Sequence, residues 1–387
     1  MPTAFERRTR DAQAALSDAD GAEGASAGGQ TTSDYADADA LVCFPSRNLF
    51  YLSGFAEDPG ERHLLFFLPA EGDPTFLVPE LYGEQVRAAS WVEDVRTWAD
   101  DDDPLAAVES VVSDLDLPPE PRVLLNDTMW ARFTHDLRAV LSDATFGLAS
   151  EVLSDLRMRK DEAELDAMRR AAAAADEAME SVRAMGSDAV GLTESELARE
   201  IERLLAEAGG EGVSFETIVG SGPNGAMPHH HHGDREIRAG DPVVLDFGTR
   251  VDGYPSDQTR TVVFDGDPSE TFAEAHAVVE AALAAGVEAV EPGVAAESVD
   301  RAAREVIEEA GYGDRFVHRT GHGVGLDVHE EPYIVEGNDR KLEPGMVFSV
   351  EPGIYLPEEF GVRIEDLVVV TDEGCERLNR TDRGWEC

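Results

Sequence analysis

The stretch from Val243 to Asp366 constrains this chain most, because it sets carboxylates beside runs of apolar residues. In order it holds VVLDFG, GYPSDQTRT, HRTGHGVGLDVHEEP, MVFSVEPGIY and GVRIED. Asp252-Gly253 is a two-residue hairpin signal. Counting outward from that turn sets Asp246 opposite Thr259. Asp257 lies two residues from Thr259, and strand side chains alternate with a period of two. Asp246 and Asp257 therefore project from one face as diagonal neighbours. Beside VVL and VVF, two carboxylates so placed repel each other unless a cation lies between them. The alternative is a pair of solvated hairpin acids.

Three further residues join them. His322 sits between Gly321 and Gly323, where glycine permits a sharp bend or a close backbone approach; alone, it is a weak signal. Glu351 ends the apolar run MVFSV, and a buried carboxylate without a partner is expensive. Glu365 ends GVRI and leads into Asp366 and LVVV. Asp246, Asp257, His322, Glu351 and Glu365 read together as a cage for two divalent metal ions. Bridging carboxylates hold such ions about 3.5–4 Å apart, a spacing used in two-metal hydrolysis, and a shared water is thereby acidified towards neutrality. Oxygen ligands with one nitrogen favour Mn²⁺, with Co²⁺, Zn²⁺ and Fe²⁺ as alternatives.

The rest of the composition narrows the class. At 387 residues, two domains are expected. Acidic residues number 80 against 32 basic ones, a formal net charge of −48. That excludes a nucleic-acid binder, whose affinity comes from neutralising phosphates, and an anionic membrane surface would repel the chain. The acids are spread along the whole sequence rather than gathered in a tail. Lys160 and Lys341 are the only lysines. Spread acidity with almost no lysine suggests adaptation to high salt, where self-repulsion is screened; an acidic mesophilic protein is the alternative. Cys43, Cys375 and Cys387 have no regular spacing, which argues against disulfides and a thiolate metal site. No signal-peptide core and no run of 18 apolar residues is seen, so a cytoplasmic protein is expected.

Taken in order, residues 1–35 read as a flexible lead-in containing a short amphipathic helix over 3–16. Residues 36–152 read as an α/β domain: strands at 40–44, 63–69, 75–79, 92–98 and 122–126 alternate with helices at 80–89, 104–115 and 129–141. Tyr51 and Phe55 read as core. From 153 to 387 the pattern becomes α+β, opening on a long helical region over 153–185. Further helices are expected at 194–208, 271–285 and 295–309, the last two separated by Pro292-Gly293.

The order Asp, Asp, His, Glu, Glu, framed by DFG, GYPSDQTRT, GHGVGLDVHE, EPGIY and GVRIED, resembles the creatinase/aminopeptidase P/prolidase (M24) group of metallopeptidases. NLFYLSGF resembles that group's non-catalytic N-terminal domain, and LRMRKDEAELDAMRRA its inter-domain helix. The resemblance implies a "pita-bread" α+β catalytic domain with two pseudo-symmetric halves, preceded by a smaller creatinase-type α/β domain. It implies that Asp246 chelates one metal, His322 and Glu351 the other, and that Asp257 and Glu365 bridge both. Glu351 would also shuttle a proton to the leaving nitrogen. His229, His318 and His329 match substrate-binding histidines, with His229 and His329 counted among the catalytic groups. Tyr355 and Arg363 match residues that brace the first aspartate. A homodimer is implied as well. The chain departs from the pattern in one place: His229 opens a run of four histidines, His229 to His232, and His229 is favoured as the member facing the pocket.

The activity so implied is hydrolysis of Xaa-Pro bonds at the N-terminus of dipeptides or short peptides, as a dipeptidase or an aminopeptidase P. The rivals are a methionine aminopeptidase-like enzyme, a creatinase-like hydrolase and a non-catalytic binding protein of the same fold. The long N-terminal region opposes the first, and the five ligand positions oppose the others.

Overall fold

The computed structural model describes residues 3–17 and 37–387, and the chain forms two compact units, Met1–Arg157 and Met158–Cys387. Of the lead-in expected over 1–35, residues 18–35 lie outside the described residues. Its head does not behave as a free lead-in. Ala4–Ser17 is a helix with Ala12 and Leu16 buried, and the Thr9 hydroxyl donates to Leu52 O at 2.8 Å.

The first unit is built on a six-stranded mixed sheet. Its strands lie in the order Asp94–Trp98, Thr75–Pro79, Leu65–Pro69, Ala40–Cys43, Arg122–Leu125, Thr145–Leu148. The three short apolar runs are buried along their whole length, which is why they lack polar alternation. Asp103 caps the helix Pro104–Asp114 by accepting from Leu105 N, with proline at its first position. The segment NLFYLSGF contains a helix, Arg47–Ser53, that the sequence pattern did not reveal; Ser46 caps it and Gly54 ends it. Tyr51 and Phe55 are buried.

The second unit consists of two halves of like construction. In one, helices Glu162–Arg183 and Glu194–Glu207 cover an antiparallel sheet of Gln258–Val262, Val243–Phe247 and Ile218–Ser221 through Ala175, Met179, Leu197, Ile201, Leu245 and Phe247. In the other, helices Glu270–Glu288 and Ala296–Glu309 cover a five-stranded antiparallel sheet through Phe272, Val279, Val299, Phe348 and Val368. An antiparallel bridge between Thr259 and Glu365 ties the halves together, with Glu365 N donating to Thr259 O at 3.0 Å. This is an α+β pita-bread unit.

The long helical region expected over 153–185 is two helices, Ser150–Met158 and Glu162–Arg183. Two effects break it. Asp161 forms a capping box with Glu164, and the backbone at Arg159 and Lys160 pairs with Met346 and Gly345 instead of continuing the helix.

Candidate metal centre

The hairpin sets the first pair of carboxylates. Asp252 and Gly253 both take positive φ, 50° and 82°, the geometry of a two-residue turn matched to strand twist. The paired strands then put Thr259 opposite Asp246. Asp257 precedes the strand Gln258–Val262 and is buried, as is Asp246.

From the other half come His322, Glu351 and Glu365. His322 occupies the short strand Gly321–Gly323, and its flanking glycines permit close approach. A Cβ at Gly321 would stand 1.8 Å from Ser349 O, and one at Gly323 would stand 2.2 Å from Glu331 O. The His322 ring lies beside Gly323 O at 3.2 Å from Nδ1, which makes Nδ1 the donor and leaves the Nε2 lone pair facing carboxylates. Nε2 is 3.3 Å from Glu351 Oε1 and 3.9 Å from Asp257 Oδ2. Ser349 Oγ donates to Glu351 Oε1 at 3.1 Å and accepts from His322 N at 3.1 Å, holding two of these residues by one hydroxyl.

Ligand atoms of Asp257, His322 and Glu365 all lie within 4.8 Å of one another. Asp246 is held differently: Arg363 Nη2 donates to its Oδ2 at 2.6 Å. Arg363 Nη1 also donates to the Tyr355 hydroxyl at 2.9 Å, and that hydroxyl lies 2.9 Å from His318 Nε2. His318 Nδ1 is 2.7 Å from Arg319 O and must be the donor there, so Nε2 accepts from Tyr355. Both ring nitrogens of His318 are thus engaged. The network starts at Arg363, which donates to Asp246 on one side and to Tyr355 on the other, and Tyr355 donates on to His318.

Electrostatics test whether a divalent cation fits. Burial, then the charges of Glu365, Asp246 and Glu351, push the Asp257 carboxyl well above the carboxylate range. Burial, then Glu351 and Asp246, do the same to Glu365. Burial, with Asp246 adding to it, raises Glu351 to about 7 against the pull of Arg363. Burial lowers His322 to about 3 and His318 to about 4. Asp246 Oδ1 and Glu365 Oε1 are buried with no hydrogen-bond partner among the described residues. Acceptor-only atoms that repel each other and lack donors are what a divalent cation resolves. The donor set fits a hard or borderline cation.

The same residues line one pocket of about 470 Å³ within the second unit. His229, His318, His329, Arg319 and Arg363 join the five candidate ligands there, with Phe215, Ile218 and Val328 as its apolar wall. The ring of His329 stands edge-on to His322 with centroids 4.1 Å apart. Tyr355 is buried beside Arg363 and His318.

Comparison with known proteins places this arrangement. The sequence model of metallopeptidase family M24 matches residues 166–372, and that of the creatinase/prolidase N-terminal domain matches residues 30–159. The chain belongs to metallopeptidase family M24. A Mycobacterium tuberculosis protein named "Probable dipeptidase PepE" is 44% identical over 88% of this chain and 89% of its own. The Xaa-Pro dipeptidase of Lactobacillus helveticus is 37% identical over 86% of this chain and 90% of its own. The crystal structure of a recombinant prolidase from Thermococcus sibiricus superposes with a TM-score of 0.89 at 37% identity, covering 99% of both chains. No helix among the described residues is long and apolar enough to cross a membrane.

Several residues that shape this M24 site escaped the sequence reading. Thr259 donates to Glu365 Oε2 at 2.7 Å and accepts from Arg363 Nε at 3.2 Å. Ser349 and Arg319 carry no local sequence signal of their own. Glu194, the first residue of the helix Glu194–Glu207, is fully buried. Among these, Thr259 carried a usable signal, since the hairpin register set it opposite Asp246.

Proposed function

We propose that this M24 metallopeptidase hydrolyses Xaa-Pro dipeptides, with the pocket that brings the five cage residues together with His229 and His329 as the observation that carries the reading. The names of the relatives point the same way. Asp246, Asp257, His322, Glu351 and Glu365 would hold two divalent ions, Mn²⁺ by preference, with Asp257 and Glu365 shared between them. Such ions supply Lewis-acid polarisation of the scissile carbonyl and acidify water at the site. The rest is done by the chain. Glu351 takes a proton from the attacking water and delivers it to the proline nitrogen as the C–N bond breaks. His229 and His329 stand free at the pocket wall to donate to the carbonyl oxygen as charge develops on it. His318 lines the same pocket as a substrate-binding group, and by accepting from Tyr355 it also braces the Tyr355–Arg363 pair that holds Asp246. The apolar wall of Phe215, Ile218 and Val328 receives substrate side chains and keeps bulk water out.

We further infer an acidic surface suited to high salt, for which the net charge of −48 and the two lysines are the support, and a cytoplasmic homodimer, the pairing being what the family resemblance implies. The test is an assay of the Mn²⁺-loaded protein in high salt on Xaa-Pro dipeptides, Xaa-Pro-Yaa tripeptides and Met-Ala-Ser. Cleavage concentrated on the dipeptides is expected. Failure to cleave any proline substrate with metal bound would sink the reading, and preference for the tripeptides would make the enzyme an aminopeptidase P.

A further inference from the structure

The four consecutive histidines have four different surroundings. His230 Nε2 lies 2.8 Å from Glu194 Oε2, His231 Nδ1 lies 2.9 Å from Glu216 Oε2, and His232 Nδ1 lies 3.0 Å from Ser195 Oγ. His229 lines the pocket and has no hydrogen-bond partner among the described residues.

What fixes this division is the pair of anchors on either side of His229. Ahead of it, Pro228 O accepts from Arg363 Nη1 at 3.3 Å, which ties the loop to the guanidinium that also holds Asp246. Behind it, the His230 ring is drawn down to Glu194. That glutamate opens the helix Glu194–Glu207 and is fully buried. Its carboxylate accepts from Ser221 N at 2.8 Å, Ser221 Oγ at 2.7 Å, Asn224 Nδ2 at 3.0 Å and Gly233 N at 3.2 Å, besides His230. Burial acts to raise its pKa, but the hydrogen bonds from Ser221, His230 and Asn224 outweigh that and hold it below the ordinary value. A buried carboxylate is tolerated only with such partners. Every one of them comes from the segment 221–233 that delivers His229. With Pro228 and His230 both committed, the ring between them is left to the pocket.

We infer that Glu194 is a positioning residue of the M24 site, which through His230 holds the His229 ring at the pocket wall. The inference rests on the reading of His229 as a substrate-contacting group. The experiment is a double-mutant cycle on the Mn²⁺-loaded enzyme with an Xaa-Pro dipeptide, with metal content measured for each variant. His229→Ala is expected to lower kcat/KM by about 100-fold, the scale of losing one oxyanion donor. His230→Leu should lower it by about 10-fold, since misplacing a catalytic group by an ångström costs up to about 100-fold. His230→Gln, which retains an N–H for Glu194, should recover most of that loss. In the His229→Ala background, His230→Leu should cost less than about 2-fold, because residues acting through one another are not additive. Glu194→Gln should follow His230→Leu; if it does not fold, the His230 variants still decide. Metal content should stay at the wild-type level throughout. A full additive loss in the His229→Ala background, or a His230→Leu enzyme as active as wild type, would overturn the inference. An unaffected His229→Ala enzyme would remove the reading beneath it, and the inference with it.

Discussion

Glu365 and Asp366 are adjacent, both buried, and electrostatically opposite. Strand side chains alternate, so one faces the pocket and the other faces the scaffold behind it. On the pocket side, Glu365 meets Glu351 and Asp246, and burial with those charges lifts its pKa well above the ordinary range. On the scaffold side, Asp366 meets three arginines. Arg260 Nη2 donates to Oδ1 at 2.8 Å, Arg383 Nε donates to Oδ2 at 3.1 Å, and Arg377 forms a third ion pair. Burial acts to raise Asp366 as well, but Arg260, Arg383 and Arg377 hold it below the usual carboxylate value. Arg260, itself fully buried, also donates to Glu365 O at 2.6 Å, so the compensated centre fixes the backbone of the uncompensated one. A buried acid neutralised within the chain is scaffold. One left among other acids is a site for a cation supplied from outside.

The comparison breaks most visibly at Asp257. Asp257→Asn should reduce turnover to below about 1% and abolish binding of the second ion, since losing even an outer-shell partner costs 10–100-fold. Metal stoichiometry and dipeptide hydrolysis measure both, and a fully active variant would refute the cage. Yet the metal-free variant should be at least as stable as the metal-free wild type, because one repelling charge is gone. Asp366→Asn should do the reverse. It takes the counter-charge from the fully buried Arg260 and from the partly buried Arg383 and Arg377, at about 3–5 kcal/mol in urea unfolding of the metal-free protein, a large share of a typical stability. Equal destabilisation by the two variants would erase the distinction between site and scaffold.

How far this contrast was legible differs between the two faces. The hairpin signal at Asp252-Gly253 gave the register that sets Thr259 opposite Asp246, because turn length and strand period are local properties. The apolar runs of the first unit located its strands for the same reason. Partners distant in sequence were out of reach. Asp366 reads as one more acid in GVRIED until the fold brings Arg260 to it from another strand. Glu194 is one more acid in a helical first turn until segment 221–233 closes over it. The break in the helical region at Arg159–Lys160 depends on pairing with residues near Met346, which no helical periodicity encodes.

A smaller effect sharpens the boundary between the faces. Thr259 joins Glu365 to Arg363 through one hydroxyl. Thr259→Val keeps the shape and removes both hydrogen bonds, and should weaken metal binding by about 10–100-fold. Thr259→Ser should restore it. Titration calorimetry reads the affinity directly, and a valine variant that binds as tightly as wild type would show that the cage orients Glu365 unaided.

A last effect tests whether the scaffold has an acid response of its own. His276 lies in the helix Glu270–Glu288 beside Phe272, buried, with no partner for Nε2 among the described residues. Burial lowers its pKa to about 4, against a hydrogen bond to the Thr261 backbone. The fold therefore keeps the ring neutral, while an unfolded chain takes up a proton below about 6.5. Stability should fall as pH drops from 6.5 towards 4, by at most about 1.4 kcal/mol per pH unit, and this contribution should level off below 4. His276→Asn can still donate to Thr261 O but cannot titrate. The cage acids are the same in both proteins, so their contribution cancels when urea midpoints of metal-free wild type and variant are compared from pH 4 to 8. The variant should lose less stability on acidification, with the two curves converging in slope above pH 7. Parallel curves across the whole range would mean that His276 is free to ionise in place, and that the acid response belongs to the pocket face alone.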